Sequence, residues 1–223
     1  MDKNLLHDGL KKFGLGFALL MVLLFLPAGT LRWWNGWLLM GVLFVPMFVA
    51  GIVMLFRAPD LLRSRLNAKE EQGEQRTVVA LSGLMFVACF VLAGLGYRFG
   101  WYAFPRSVCI AGAVAFLLGY ALFGEVLREN AYLSRTIEVQ EGQHVVDTGL
   151  YGIVRHPMYA ATLLMFLAMP VVLGSPFSLV VMLAYLPIIQ QRMDGEERLL
   201  AEELIGYEDY LQRVRWRVIP YVW

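Results

Sequence analysis

The sequence predicts an all-α integral membrane fold, and three observations carry that prediction. Of 223 residues, 59% are apolar and 17% charged, against about 25% charged in an average soluble domain. Mean hydropathy is +0.59. Four apolar runs, 13–31, 36–56, 77–97 and 107–127, are each close to the ~20 residues that cross a bilayer as a helix. A fifth, 158–189, is too long for one span and is interrupted by Leu173-Gly174-Ser175-Pro176. No βαβ alternation is present, and no glycine-rich fingerprint follows a strand. About six membrane segments result, four spans plus a helical hairpin.

Each element follows from its residues. The first run is too long for a signal-peptide core and no small-x-small cleavage site follows it, so it is kept as a span. Trp33, Trp34, Trp37, Trp101 and Tyr102 flank the spans where an aromatic belt sits. The stretch 57–76 sets Leu61, Leu62 and Leu66 among charges at helical spacing after Pro59-Asp60, the pattern of an amphipathic surface helix. In the fifth run Gly ends one helix and Pro starts the next, giving a hairpin of helices about 15 and 13 residues long. The second arm is short for a full crossing.

Charge sets the orientation. In the six-segment arrangement, all of the 19 Lys and Arg except Arg32, Arg98 and Arg106 fall on one side. Positive loops face the cytoplasm, so both termini are expected there, at the inner (plasma) membrane in a prokaryote. An odd number of segments would scramble this sorting. The chain then divides into a four-span membrane region, 1–127, and a second region, 128–223. The latter holds the hairpin 158–189 and an amphipathic C-terminal helix.

Several function classes drop out. A net charge of +1 offers no basic face for nucleic acid. Cys89 and Cys109 lie inside apolar runs and read as buried thiols, with neither a disulfide framework nor a metal site. No segment calls for a protein partner. Transport is expected to leave ionisable groups in mid-span, yet within the spans only Glu125 stands out, near a span end beside Arg128.

The chemistry-bearing residues lie in 128–157 and 190–223. Residues 136–140 and 144–147 alternate like short extended segments around a Glu141-Gly142 turn, and Gly149 and Gly152 lead into a helix that Pro157 should open. A helix N-terminus offers unpaired N–H groups and a partial positive charge, suited to a carboxylate or phosphate. Arg155 and His156 stand just before it, and the same field disfavours a charged His156. Taken alone, His-Pro marks a helix boundary and Arg155 an interfacial anchor; the density of Gly, Tyr and basic residues raises the functional reading. Further on, Glu196 follows Arg192 by four positions, on the same helix face. Its carboxylate suits vicinal ribose hydroxyls or an ammonium group; the plainer reading is a surface ion pair with Arg192.

These residues resemble the isoprenylcysteine carboxyl methyltransferases and their phospholipid-methyltransferase relatives, in the shorter prokaryotic form. The motifs are Gly149-Leu-Tyr151-Gly-Ile-Val-Arg155-His156-Pro157-Met-Tyr159, then Glu196-Glu197-Arg-Leu-Leu200, Gly206-Tyr-Glu208-Asp209-Tyr210 and Arg217-Val-Ile-Pro220. Upstream, Asn130, Leu133-Ser134-Arg135 and Gln140 also look like the family. The resemblance covers 128–223; the earlier spans match in hydropathy alone. It implies a helical membrane bundle whose cytoplasmic part wraps S-adenosyl-L-methionine. Gln140, Gln143, His144, Val145, Val146, Tyr151, His156, Pro157, Met158 and Tyr159 would line the cofactor, with Glu196 or Glu197 at its ribose or amine. Arg192 matches the arginine that binds a substrate carboxylate.

The implied activity is transfer of a methyl group to the carboxylate of an amphiphilic, isoprenylcysteine-like or lipid acceptor within the bilayer. Two further readings stay open. A phospholipid N-methyltransferase would share the cofactor and differ in its acceptor. A membrane reductase of the sterol-reductase type would use NADPH, although residues 140–154 contain no Lys or Arg for its extra phosphate.

Overall fold

The computed structural model describes residues 3–67, 73–130, 132, 139 and 142–223. Among these, every regular element is helical. In order they are α1 (Lys3–Ala28), α2 (Trp34–Arg57), α3 (Pro59–Asn67), α4 (Gly73–Arg98) and α5 (Arg106–Glu129). A 3₁₀ turn (Gly149–Gly152) follows, then α6 (Pro157–Val172), α7 (Pro176–Met182), α8 (Tyr185–Glu203) and α9 (Tyr207–Arg213). Four of the helices are long and apolar enough to cross a membrane: α1 over Asn4–Ala28, α2, α4 over Ala80–Arg98, and α5. They coincide with the four apolar runs. Their outer faces expose Leu15, Leu19, Leu26, Val45, Val53, Leu84, Val114 and Leu118, an apolar surface of the kind a bilayer covers.

Proline sets several boundaries, because its ring disfavours a helical residue before it. Ala58, ahead of Pro59, leaves the helical region at φ −149° and ends α2. The surface helix expected in 57–76 is α3; residues 68–72 lie outside the described residues, and 73–76 belong to α4. Glu125 pairs with Arg128 at the end of α5, Oε2 to Nε 2.9 Å, a helix-end ion pair.

One apolar core joins the long helices to the hairpin through Leu24, Trp33, Leu39, Cys89, Phe116, Met165, Val172, Met182 and Ile189. Small residues let α5 and α6 approach closely. A Cβ on Gly112 would lie 2.8 Å from Val171 Cγ1, and one on Gly119 would collide with Met165.

The break after α6 forms where the sequence places it. Gly174 takes φ +74°, the Ser175 side chain accepts from Ser178 N and Pro176 opens α7. The second arm differs from expectation: it is two helices, α7 and α8, separated at Leu183-Ala184. Pro187 explains the interruption. It has no N–H to bond four residues back, and the Leu183 carbonyl instead accepts from Leu186 N at 3.1 Å, a tighter 3₁₀ contact. Helix α8 therefore starts in the apolar run and continues unbroken through Arg192 and Glu196.

Beyond α9 the chain returns to the start of α6. Arg155 N donates to Trp216 O and His156 N to Arg217 O, both at 2.8 Å. The tail thus takes up the amides flanking the helix N-terminus, which the sequence alone offers to an anion.

Candidate functional site

Three parts of the chain converge on one cavity beside the N-terminus of α6: residues 143–159, the middle of α8, and 204–210. It is an open cleft that encloses about 880 Å³ of space counted with its open mouth.

The approach to α6 is fixed from the end of α5. Glu129 Oε2 accepts from Leu150 N at 2.9 Å. Gly149 sits against that carboxylate with φ +53°, where any Cβ would overlap it, so only glycine serves there. Asn130 Nδ2 donates to Tyr151 Oη at 3.0 Å, and Tyr210 Oη to Tyr151 O at 2.8 Å. Tyr151 is thereby buried in the cavity wall, and burial pushes its phenol up to about 12.

Glu197 is the centre of a buried ionic knot. Its Oε1 accepts from Arg155 Nε at 2.8 Å and from His156 Nε2 at 3.0 Å, and Oε2 accepts from Arg217. An ionised carboxylate only accepts, so Nε2 is the nitrogen of His156 that carries a proton. Burial alone would raise the Glu197 carboxyl; the His156 hydrogen bond and the neighbouring Arg155 and Arg217 guanidinium charges outweigh it and hold it at about 2. Arg217 also bonds Asp194 at 2.7 Å, Asp194 accepts from Gln190 at 2.9 Å, and Gln190 Oε1 accepts from the Trp223 indole at 3.1 Å. Arg155 further donates to the carbonyls of Val214 and Arg215. The knot binds α6, α8 and the tail into one frame.

One turn along, Tyr159 joins the two α8 residues that share a face. Arg192 Nε donates to Tyr159 Oη at 3.0 Å, and that hydroxyl donates to Glu196 Oε2 at 2.9 Å. Arg192 and Glu196 are bridged through a phenol at the cavity wall. Thr162 Oγ1 and Tyr185 Oη, 2.9 Å apart, lie one turn further along α6.

Of the residues expected at the cofactor, Gln143, His144, Val145, Val146, Tyr151, His156, Met158, Tyr159 and Glu196 line this cavity together with Arg192. Pro157 is buried as the first residue of α6 and Glu197 is held in the knot; neither is in the lining. Gln140 and most of the 136–140 alternation lie outside the described residues, and 143–147 form no strand. Residues the motif reading left without a place in the cavity are Asn130, Tyr132, Arg155, Leu200, Leu204, Tyr207 and Tyr210. The spacing Leu200, Leu204, Tyr207 and Tyr210 was the available signal, since it continues an apolar stripe past α8.

Tyr207 differs from its neighbours. Among the described residues, its Oη is the one buried side-chain polar atom without a hydrogen-bond partner. An unmet buried hydroxyl costs about 1–3 kcal/mol. A ligand in the cavity can relieve that cost. With the Glu196 carboxylate and the aromatic faces of Tyr151 and Tyr159, the wall fits a cationic nucleoside: an acceptor for hydroxyls or an ammonium, and π-faces for positive charge.

Residues 112–202 match the model of the Isoprenylcysteine carboxyl methyltransferase (ICMT) family. The fold is similar to the solved structure of the eukaryotic intramembrane Ras methyltransferase ICMT. The TM-score is 0.57 at 18% identity, over 92% of this chain and 74% of that one. A stretch of 92 residues is 32% identical to the Delta(14)-sterol reductase of Mus musculus, covering 40% of this chain and 22% of that protein. The chain thus spans about a fifth of that relative. The matched stretch runs from within α5 through the cavity face of α8, and the likeness of fold extends over nearly the whole length of this integral membrane protein.

Proposed function

We propose that the protein is a membrane-embedded methyltransferase that uses S-adenosyl-L-methionine and methylates the carboxylate of an amphiphilic acceptor. The observation that carries this reading is the single cavity shared by Tyr151, His156, Tyr159, Arg192 and Glu196. When bound, S-adenosylmethionine supplies an activated methyl group on a sulfonium.

A carboxylate acceptor is already ionised at neutral pH and needs no general base, so the side chains need only position and enclose. Glu196 takes the hydroxyl or ammonium edge of the nucleoside. Tyr151 and Met158 bound its apolar faces. Arg192, steadied by Tyr159 through Nε, offers its terminal nitrogens to the acceptor carboxylate as a charge-assisted fork. Alignment within ~3 Å with water excluded supplies the rate. In this reading residues 1–127 are the membrane scaffold and 128–223 the transferring part. The cavity faces the cytoplasm, where the Lys and Arg are sorted, and the lipid-like chain of the acceptor lies among the membrane helices. No protein partner is required.

The partial likeness to a sterol reductase favours a second reading, an NADPH-dependent reductase. Thermal melting of the purified protein in detergent separates the two. S-adenosylmethionine at a hundredfold excess over its Kd stabilises by about 2.7 kcal/mol, and NADPH leaves the melting temperature unchanged; the reverse result discards the methyltransferase. Transfer of labelled methyl to a panel of farnesylcysteine derivatives, fatty acids and phospholipids then separates carboxylate from amine acceptors.

A further inference from the structure

Two tyrosines one turn apart on α9 face similar surroundings and end differently. Tyr207 and Tyr210 pack with Leu204 and Val214 in a small apolar cluster, their rings 5.6 Å apart. Tyr210 Oη donates to the Tyr151 carbonyl, so its hydroxyl is accounted for by the fold. Among the described residues Tyr207 Oη has no hydrogen-bond partner, although its side chain is 96% withdrawn from solvent and lines the cavity. A phenylalanine would fill the same volume without leaving a polar atom unmet. Burial first, and then the negative charges of Glu197 and Glu196, push the Tyr207 phenol far above its ordinary value. The group is a neutral hydroxyl at any physiological pH, able both to donate and to accept.

Resting on the methyltransferase reading, we propose that Tyr207 is a cofactor-binding residue, its Oη completing its hydrogen bonding only with the nucleoside, on the side that faces Glu196. Because α9 follows α8 after the left-handed Gly206 (φ +86°), this contact ties the segment after α8 to the ligand. The cavity then closes on the nucleoside from three sides: the approach to α6, α8 and α9.

The test is Tyr207→Phe, which deletes one oxygen and keeps the ring. Two measurements are made in detergent: the Kd for S-adenosylhomocysteine by calorimetry, and the melting temperature without ligand. The expected result is a Kd weakened about tenfold, about 1.4 kcal/mol, with a ligand-free melting temperature equal to or above that of the native protein. A native Kd in the variant overturns the proposal. So does a lowered ligand-free melting temperature, which would show that the hydroxyl serves the fold. If the native protein binds neither S-adenosylmethionine nor S-adenosylhomocysteine, the methyltransferase reading falls and the proposal with it. If the native protein binds and the variant binds equally, only the assignment of Tyr207 falls.

Discussion

The two ends of α6 use their polar groups in opposite ways. At the Val172 end, Asn35 Nδ2 donates to Val172 O at 2.7 Å, Ser175 Oγ to Ser178 Oγ at 2.8 Å, and Ser178 Oγ to Cys89 O at 2.8 Å. Neutral groups there close on one another and on backbone, and the adjoining cavity is walled by Trp33, Tyr97, Trp101 and Phe177. At the Arg155 end, the guanidinium groups of Arg155 and Arg217 meet the carboxylates of Glu197 and Asp194, and their bonding leaves Tyr159, Arg192 and Glu196 on a cavity wall. One end is a seal. The other is a frame that holds ionisable groups in place without burying all of them. The difference teaches that the ionic knot is support for the cavity, one step removed from any ligand.

Glu197→Ala is the strongest way to break that distinction. It strips the shared carboxylate from Arg155, His156 and Arg217, and breaking a buried ion pair costs about 3–5 kcal/mol. Chemical denaturation in detergent should show a loss of that order; a loss below about 1 kcal/mol would mean the knot is not a frame. Acid gives the same information in the native protein. The Glu197 carboxyl is held at about 2 against an ordinary value of 4.5. Its contribution, about 3 kcal/mol, is complete above pH 4.5 and disappears as pH falls towards 2. The variant should lack that part of the acid-induced loss.

The knot also shows where sequence reading stops. The four spans, the break at Gly174-Ser175-Pro176 and the opening of α6 at Pro157 were legible, because each depends on hydropathy or on the backbone rules of one or two residues. The division of the second arm was not, since Pro187 sits in an apolar run and acts in a first helical turn, where proline is ordinary. Glu196 and Glu197 were named together and read alike. Neighbours on a helix point ~100° apart, and only Arg155 from before α6 and Arg217 from the tail, 42 and 20 positions distant, decide that Glu197 turns into the frame and Glu196 to the cavity. Tyr207 and Tyr210 pose the same problem: one hydroxyl meets the Tyr151 carbonyl, the other meets no partner among the described residues, and no local pattern distinguishes them.

Asn35→Ala tests the sealed end. It removes the donor to a buried carbonyl and should cost about 1–2 kcal/mol, measured by the same denaturation. The affinity for S-adenosylhomocysteine should remain native, because Asn35 and the cavity lie at opposite ends of α6. A weakened affinity comparable to that of a cavity variant would show that the two ends are coupled.

Tyr159→Phe sharpens the comparison most, with the smallest effect on stability. Its hydroxyl belongs neither to the seal nor to the knot; it accepts from Arg192 and donates to Glu196, both residues of the cavity wall. Losing it removes two hydrogen bonds while the ring keeps its place beside the His156 ring, so stability should fall by about 1 kcal/mol. The effect on methyl transfer should be larger, because Arg192 regains freedom to swing and the acceptor carboxylate loses a preset partner; a misplacement of ~1 Å can cost a hundredfold. A fall in kcat/KM for a carboxylate acceptor of about tenfold or more, with the Kd for S-adenosylhomocysteine changed less than threefold, would separate Arg192 from the cofactor and assign it to the acceptor. If affinity for the nucleoside fell in step with turnover, the bridge would be acting through Glu196, and the two halves of the cavity wall would have to be read as one nucleoside-binding surface.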